Sequence, residues 1–192
     1  GGAAHGALLC GAGLLVALGG SVWLALAIPL AALSICWLAN TVAHNQIHNP
    51  VFRAPWANRM WELLLSALSG IPQTIWRRRH LWHHAGEPPR QGRRRGLGRR
   101  GWAEVALVAA LWAALATLWP RGALLFALPS YALGLLLCQL QGHYEHRGEG
   151  LEARPRGGGV SCYARWYNWL WFNDGYHVEH HRHPRRHWRE HP

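Results

Sequence analysis

Asn173-Asp174-Gly175-Tyr176-His177-Val178-Glu179-His180-His181 is the stretch on which the reading of this chain turns. Its core is a His-x-x-His-His box, and the same pattern stands at His80-Leu81-Trp82-His83-His84. A His-x-x-x-His box stands at His44-Asn45-Gln46-Ile47-His48. Residues three and four apart share a helix face, so each box is expected to aim its imidazoles at one point. With 14 His in 192 residues, chance supplies only about 0.07 His-x-x-His-His matches. Two are present, so the pattern needs a chemical cause.

The chain around the boxes is unevenly apolar. From Gly1 to Phe52 there is no Asp, Glu, Lys or Arg, and further uncharged blocks run from Val105 to Pro120 and from Gly122 to Gly142. Such runs read as membrane spans, since about 20 helical residues cross a hydrocarbon core of about 30 Å. The expected spans are residues 3–18, Val22 to Ala39 with a kink at Pro29, Trp102 to Trp119, and Ala123 to Leu140. Gly19-Gly20-Ser21 and Pro120-Arg121-Gly122 are the turns between them, and Asn40 and Thr41 mark an exit from lipid. Residues 60–71 place Trp61, Leu64, Leu65 and Leu68 on one stripe, too short to span and suited to a helix lying in the interface. Residues 49–59, 85–100 and 147–160 read as loops, and the aromatic run 161–172 as an interfacial anchor. The fold class is therefore all-α and integral to the membrane. About four transmembrane helices form two hairpins over a single domain, residues 1–192, with interfacial helices beside them. A start at Gly1 rather than Met fits a chain with residues missing before it, and no basic segment of a cleavable signal peptide precedes the first apolar run.

The net charge of +11 has a topological cause. All 20 basic residues are Arg: 11 lie between Arg53 and Arg100, one is Arg121, and eight run from Arg147 onward. With the spans as placed, 19 of 20 fall on one side, which the positive-inside rule makes cytoplasmic. Both termini and every His box share that side. Topology and anionic headgroups account for the arginines, so nucleic acid is not an expected partner. The four Cys form no CxxC: Cys10, Cys36 and Cys138 fall in spans and Cys162 in a loop, where they serve as small hydrophobes.

Eight imidazoles, from His44, His48, His80, His83, His84, His177, His180 and His181, exceed what one four-coordinate zinc needs and suit two metal ions with open positions. Imidazole accepts Zn, Cu, Fe or Ni, so ligand type alone does not choose. His-Glu-x-x-His is absent, as are the paired Glu-x-x-His motifs of soluble di-iron bundles. A haem protein would carry mid-span His and a transporter ionisable groups within its spans; neither pattern occurs in the expected spans. Asn45 and Asn173, inside the boxes, read equally as donors that orient the ligands or as cap and turn residues. His183, His187 and His191 also recur every four residues, but Pro184 disrupts a shared helix, so ligation is not expected there.

The three boxes, their order, and the span pair between the second and third resemble the membrane fatty acid desaturase and hydroxylase superfamily over residues 22–191. Asn-Asp-Gly-Tyr-His-Val-Glu-His-His is the most specific part. The resemblance implies a non-haem centre of two iron ions, O2 as co-substrate, and oxidation of an unactivated C–H bond. It further implies an acyl chain or membrane lipid as substrate, and electrons from a ferredoxin-, rubredoxin- or cytochrome b5-type carrier. The eight histidines would be iron ligands. A ninth is expected at the cytoplasmic end of the fourth span, either His143, with Gln139 one turn before it, or His146. Tyr144-Glu145-His146 is similar to the Tyr-x-Glu-His motif of alkane hydroxylases, whose leading Asn is Gly142 here, and this favours His146. Desaturation of a fatty acyl lipid is the expected reaction, with hydroxylation and carotenoid ring oxidation as the alternatives within the superfamily.

The Arg distribution makes a topological prediction. A thiol introduced near Arg95 stays unlabelled by impermeant reagent applied to intact cells, and one introduced near Arg121 is labelled; the reverse pattern refutes the orientation.

Overall fold

The computed structural model describes residues 11, 21–85, 96–147 and 159–191. It is all-helical, with no strand among the described residues. Among the described residues, three helices are long and apolar enough to cross a membrane: Leu24–His48, Gly98–Leu118 and Pro120–Glu145. The expected span 3–18 lies outside the described residues.

The helix that begins as α1 (Ser21–Trp37) does not end with the expected span at Ala39. It continues through a π-helical stretch (Leu38–Ala43) into α2 (His44–His48), so the first box rides on the end of one long helix. The widened turn is filled by side chains: Thr41 Oγ1 donates to the Trp37 carbonyl at 2.5 Å and Asn45 Nδ2 to the Thr41 carbonyl at 2.9 Å. An inserted π turn of this kind re-aims everything beyond it.

Helix α3 (Pro55–Ser69) starts five residues earlier than the apolar stripe suggests, because Pro55 at its first position is pre-shaped for a helix. It ends at Gly70, whose φ of +67° is the left-handed conformation that glycine adopts freely. Tyr131 donates from its hydroxyl to the Gly70 carbonyl at 3.0 Å, and a Cβ on Gly70 would meet the Tyr131 ring at 2.8 Å. Of the expected stripe, Leu65 is fully buried, and Trp61 and Leu68 pack with Trp76 around Leu38, Ala43 and Leu65. Leu64 instead faces outward.

Helix α4 (Gln73–Ala85) carries the second box. Helix α5 (Gly98–Leu118) begins before Trp102, in what the sequence suggests is loop. The reason is Glu104, which is wholly buried. It pairs with Arg59 of α3 and accepts from the Thr74 backbone N–H at 2.6 Å and the Thr74 hydroxyl at 3.0 Å. Arg59 also donates to the Arg100 carbonyl at 2.9 Å. One carboxylate thus ties α3, α4 and the first turns of α5 together.

The expected turn at 120–122 is instead the helical start α6 (Pro120–Gly122); the break falls one residue earlier, at Trp119. A Cβ on Gly122 would collide with the Trp119 indole, so glycine permits the tight reversal. A second π-helical stretch (Ala123–Ala127) leads into α7 (Leu128–Glu145), which runs past Leu140 and puts Glu145 in its last turn. The most extensive helix contact is α1 against α7. Small residues let the two backbones approach, as membrane helix pairs require. Ala27, Ala31 and Ala32 are buried, and a Cβ on Gly134 would press on Ile35 at 3.0 Å. Leu26, Leu30, Leu33, Leu111, Leu124, Leu125 and Leu136 face outward, which suits a lipid surround.

The chain then closes over the helix ends through α8 (Arg165–Leu170) and α9 (His177–Arg182). Trp37 Nε1 donates to the Leu170 carbonyl at 2.8 Å, and the Trp37 ring stands edge-on to Phe172 at 5.3 Å, docking this segment on the end of α1.

Glu104 generates the prediction for this architecture. Glu104→Ala leaves the Thr74 donors without their acceptor and Arg59 with Glu62 as its remaining acidic partner, and lowers stability by about 1–3 kcal/mol, read as a drop in the thermal midpoint in detergent. A midpoint unchanged within error refutes the tie.

Candidate metal centre

Nine histidines meet at the cytoplasm-expected ends of these helices, in two groups. His44, His48, His80, His84 and His180 form the first, and His83, His146, His177 and His181 the second. Within each group the ligand atoms lie within 4.8 Å of one another. The expectation that each box aims at one point is corrected here. In a His-x-x-His-His box on a helix, the outer pair is one turn apart and nearly in line, while the middle residue lies about 60° round the axis from the first. Box two therefore sends His80 and His84 to the first group and His83 to the second. Box three does the converse, sending His177 and His181 to the second and His180 to the first. The first box contributes both members, His44 and His48, to the first group.

The nitrogen separations show what the groups can hold. In the first, Nε2–Nε2 distances are 2.7 Å for His48–His80, 2.9 Å for His80–His84, 3.1 Å for His84–His180 and 3.0 Å for His44–His180. In the second they are 3.2 Å for His83–His181 and 3.0 Å for His146–His177. Hydrogen bonds alone cannot satisfy this chain, because each Nε2 has one proton or one lone pair, while His80, His84 and His180 each face two neighbours. A cation can. Imidazole nitrogens about 2.0–2.1 Å from an ion stand about 2.8–3.0 Å apart at right angles and about 3.3–3.4 Å apart in a tetrahedron. The spacings in the first group lie nearer the right-angle values, as does His146–His177, while His83–His181 at 3.2 Å lies nearer the tetrahedral ones; five donors exceed a tetrahedral site. The residues present fit two metal ions with coordination numbers above four or with open positions.

Protonation agrees with that fit. Burial, reinforced by the neighbouring imidazoles, holds His84 down at about 4 and His181 at about 3. The same causes hold His80, His177 and His180 well below the ordinary histidine range. At neutral pH these rings are uncharged and keep a lone pair free to bind metal.

Behind the rings stand two carboxylates. His44 Nδ1 lies 3.2 Å from Asp174 Oδ1, and His177 Nδ1 lies 3.6 Å from Glu145 Oε2. With Nε2 turned to its group, each ring directs its other nitrogen toward an acid: the His44 contact is a hydrogen bond that fixes the tautomer, and Glu145 stands just beyond hydrogen-bond reach of His177. Asp174 is aimed by a tight turn. Phe172 and Asn173 both have positive φ, 50° and 61°, and a Cβ on Gly175 would collide with the Cys162 carbonyl and the Asn168 side chain.

Of the two candidates for the ninth ligand, His146 stands in the second group. His143 does not; it packs edge-on to Tyr144 at 6.1 Å while lining a cavity with Gln139. Asn45 Nδ2 is turned to the Thr41 carbonyl and Asn173 Nδ2 to the Trp188 carbonyl at 3.0 Å, so both amides brace backbone. Glu179 faces away from both groups, accepting from Ser161 Oγ at 2.7 Å and Tyr163 OH at 2.8 Å, which pins α9. His183, His187 and His191 lie outside both groups. The sequence reading missed Gln141 and Asn40. Their one sequence signal is polarity within an apolar run, at positions one turn from Glu145 and His44.

A cavity of about 460 Å³ opens beside the histidines. It is lined by His44 and His80 of one group and His83, His146 and His177 of the other, with Trp76, Cys138 and Gly142 among polar neighbours that include Arg79, Glu145 and Asp174. A molecule held there borders both groups at once.

Comparison with known proteins agrees with this geometry. No curated protein and no solved structure matches the chain. The family model described as fatty acid desaturase matches residues 21–93 and 85–192, which take in all three boxes and both histidine groups. The chain belongs to the fatty acid desaturase family.

Proposed function

We propose that this protein is a membrane-bound, O2-dependent desaturase of fatty acyl lipids that works with two non-haem iron ions. The observation that carries the reading is the pair of imidazole groups bordering one cavity. His44, His48, His80, His84 and His180 would hold one iron, and His83, His146, His177 and His181 the other. The bound pair supplies the oxygen activation that an unactivated methylene requires.

The chain's own residues do the rest. Asp174 keeps the His44 ring in the tautomer that turns Nε2 inward, and Glu145 stands behind the His177 ring. The cavity wall of Trp76, Cys138 and Gly142 holds a methylene against both groups, and such positioning supplies much of the rate. A second, apolar cavity of about 200 Å³ lies between the spans, among Ile35, Leu68, Leu111, Leu115, Phe126 and Tyr131. It offers hydrocarbon chain a place off the aqueous side. The Arg bias supports four spans in two hairpins, with the boxes and both termini cytoplasmic, where a ferredoxin-, rubredoxin- or cytochrome b5-type carrier can deliver electrons. Exposed Trp166 and Trp169 suit an anchor at the headgroup level.

Hydroxylation is the second reading, favoured by one observation: His146 of Tyr144-Glu145-His146 stands in the second group with Glu145 beside His177. Both reactions begin by removing hydrogen from a methylene. The position of the substrate then decides whether a second hydrogen leaves or oxygen returns to carbon.

Two measurements test the proposal. Purified active protein carries two irons per chain, and His80→Ala or His181→Ala abolishes activity and lowers iron content while His187→Ala changes neither; one zinc and no iron in active protein refutes the metal assignment. In cells expressing the protein with an electron carrier, lipid mass spectrometry shows O2-dependent products two hydrogens lighter than the substrate. Products one oxygen heavier, without unsaturation, make the enzyme a hydroxylase.

A further inference from the structure

One side chain touches the support of both histidine groups. Gln141 lies on α7, one turn before Glu145. Its Nε2 donates to Glu145 Oε1 at 2.9 Å and to Asp174 Oδ2 at 2.8 Å. Its Oε1 accepts from Asn40 Nδ2 at 2.8 Å and from the Cys36 thiol at 3.7 Å. The amide cannot be turned round, because the Asp174 carboxylate only accepts and the Asn40 amide donates. Both amide hydrogens and the carbonyl are therefore engaged.

Each acid serves a different group. Asp174 reaches His44 of the first, and Glu145 stands beside His177 of the second. Two carboxylates in one largely buried pocket repel each other, and each needs a donor in place of lost water. A single neutral NH2 meets both needs. From this geometry we infer that Gln141 is a positioning residue that couples the two metal sites, holding one orienting carboxylate for each. The inference rests on the two-metal reading proposed above. Asn40, in the π-helical stretch that precedes the first box, locks the amide from behind.

The test is anaerobic titration of metal-free full-length protein in detergent with iron(II), with Mössbauer spectroscopy of the bound iron. Gln141→Met keeps the shape of the side chain and loses its hydrogen bonds. It weakens iron binding at both sites together, by about 10–100-fold each, and alters both quadrupole doublets. Asp174→Asn alters mainly one doublet and Glu145→Gln mainly the other. If Gln141→Met does not fold, Gln141→Asn, which keeps the amide but shortens its reach by one carbon, carries the same expectation of loss at two sites. Wild-type protein that binds two irons, with Gln141→Met leaving both doublets and both affinities intact or disturbing only one, overturns the coupling while the proposed function stands. Wild-type protein that takes up fewer than two irons overturns the two-metal reading and the coupling with it.

Discussion

Imidazole nitrogens facing one another at 2.7–3.2 Å are the constraint on which this structure rests. Each Nε2 carries either one proton or one lone pair, so a chain of five joined Nε2 to Nε2 cannot close through its own hydrogen bonds. Its natural completion is a cation at the centre of each group. Burial keeps His80, His84, His177, His180 and His181 neutral, and neutral rings can converge without the repulsion that imidazolium groups would suffer. The rest of the chain delivers these nitrogens to two points and holds them there.

Delivery uses simple helical geometry. A helix places residues i and i+4 on nearly one line and swings i+3 to the side. That offset lets α4 and α9 each serve two groups, with His80 and His84 parted from His83, and His177 and His181 parted from His180. The first box needs no such split, because α2 gives both of its histidines to the first group. Glu104 fixes α4 against α3 and α5, and the small-residue contact of α1 with α7 fixes the first box against the last turn of α7. Each tie is short-range, and none depends on the histidines themselves.

The polar layer beneath the rings makes the centre one unit instead of two neighbouring sites. Asn40, Gln141, Asp174 and Glu145 form a connected set in which buried acceptors find donors. It stands where the apolar spans give way to the polar cap, beside a cavity that both histidine groups border.

The sequence by itself determined the composition of the centre. Three boxes with helical spacing, uncharged runs near membrane length and a one-sided Arg bias point to an all-helical membrane oxidoreductase without any coordinates. These features are local, set by residue type and by periods of three and four. Helix ends were less legible. Pro55 and Glu104 lengthened α3 and α5, and the π-helical stretch carried the first described span into its box, because capping, buried ion pairs and inserted turns depend on partners far along the chain. The division of the nine histidines into five and four, the placing of His146 and not His143, and the bridge through Gln141 were decided only by tertiary structure. Which nitrogen meets which depends on how four helix ends are rotated about their axes, and packing between segments more than a hundred residues apart sets that rotation.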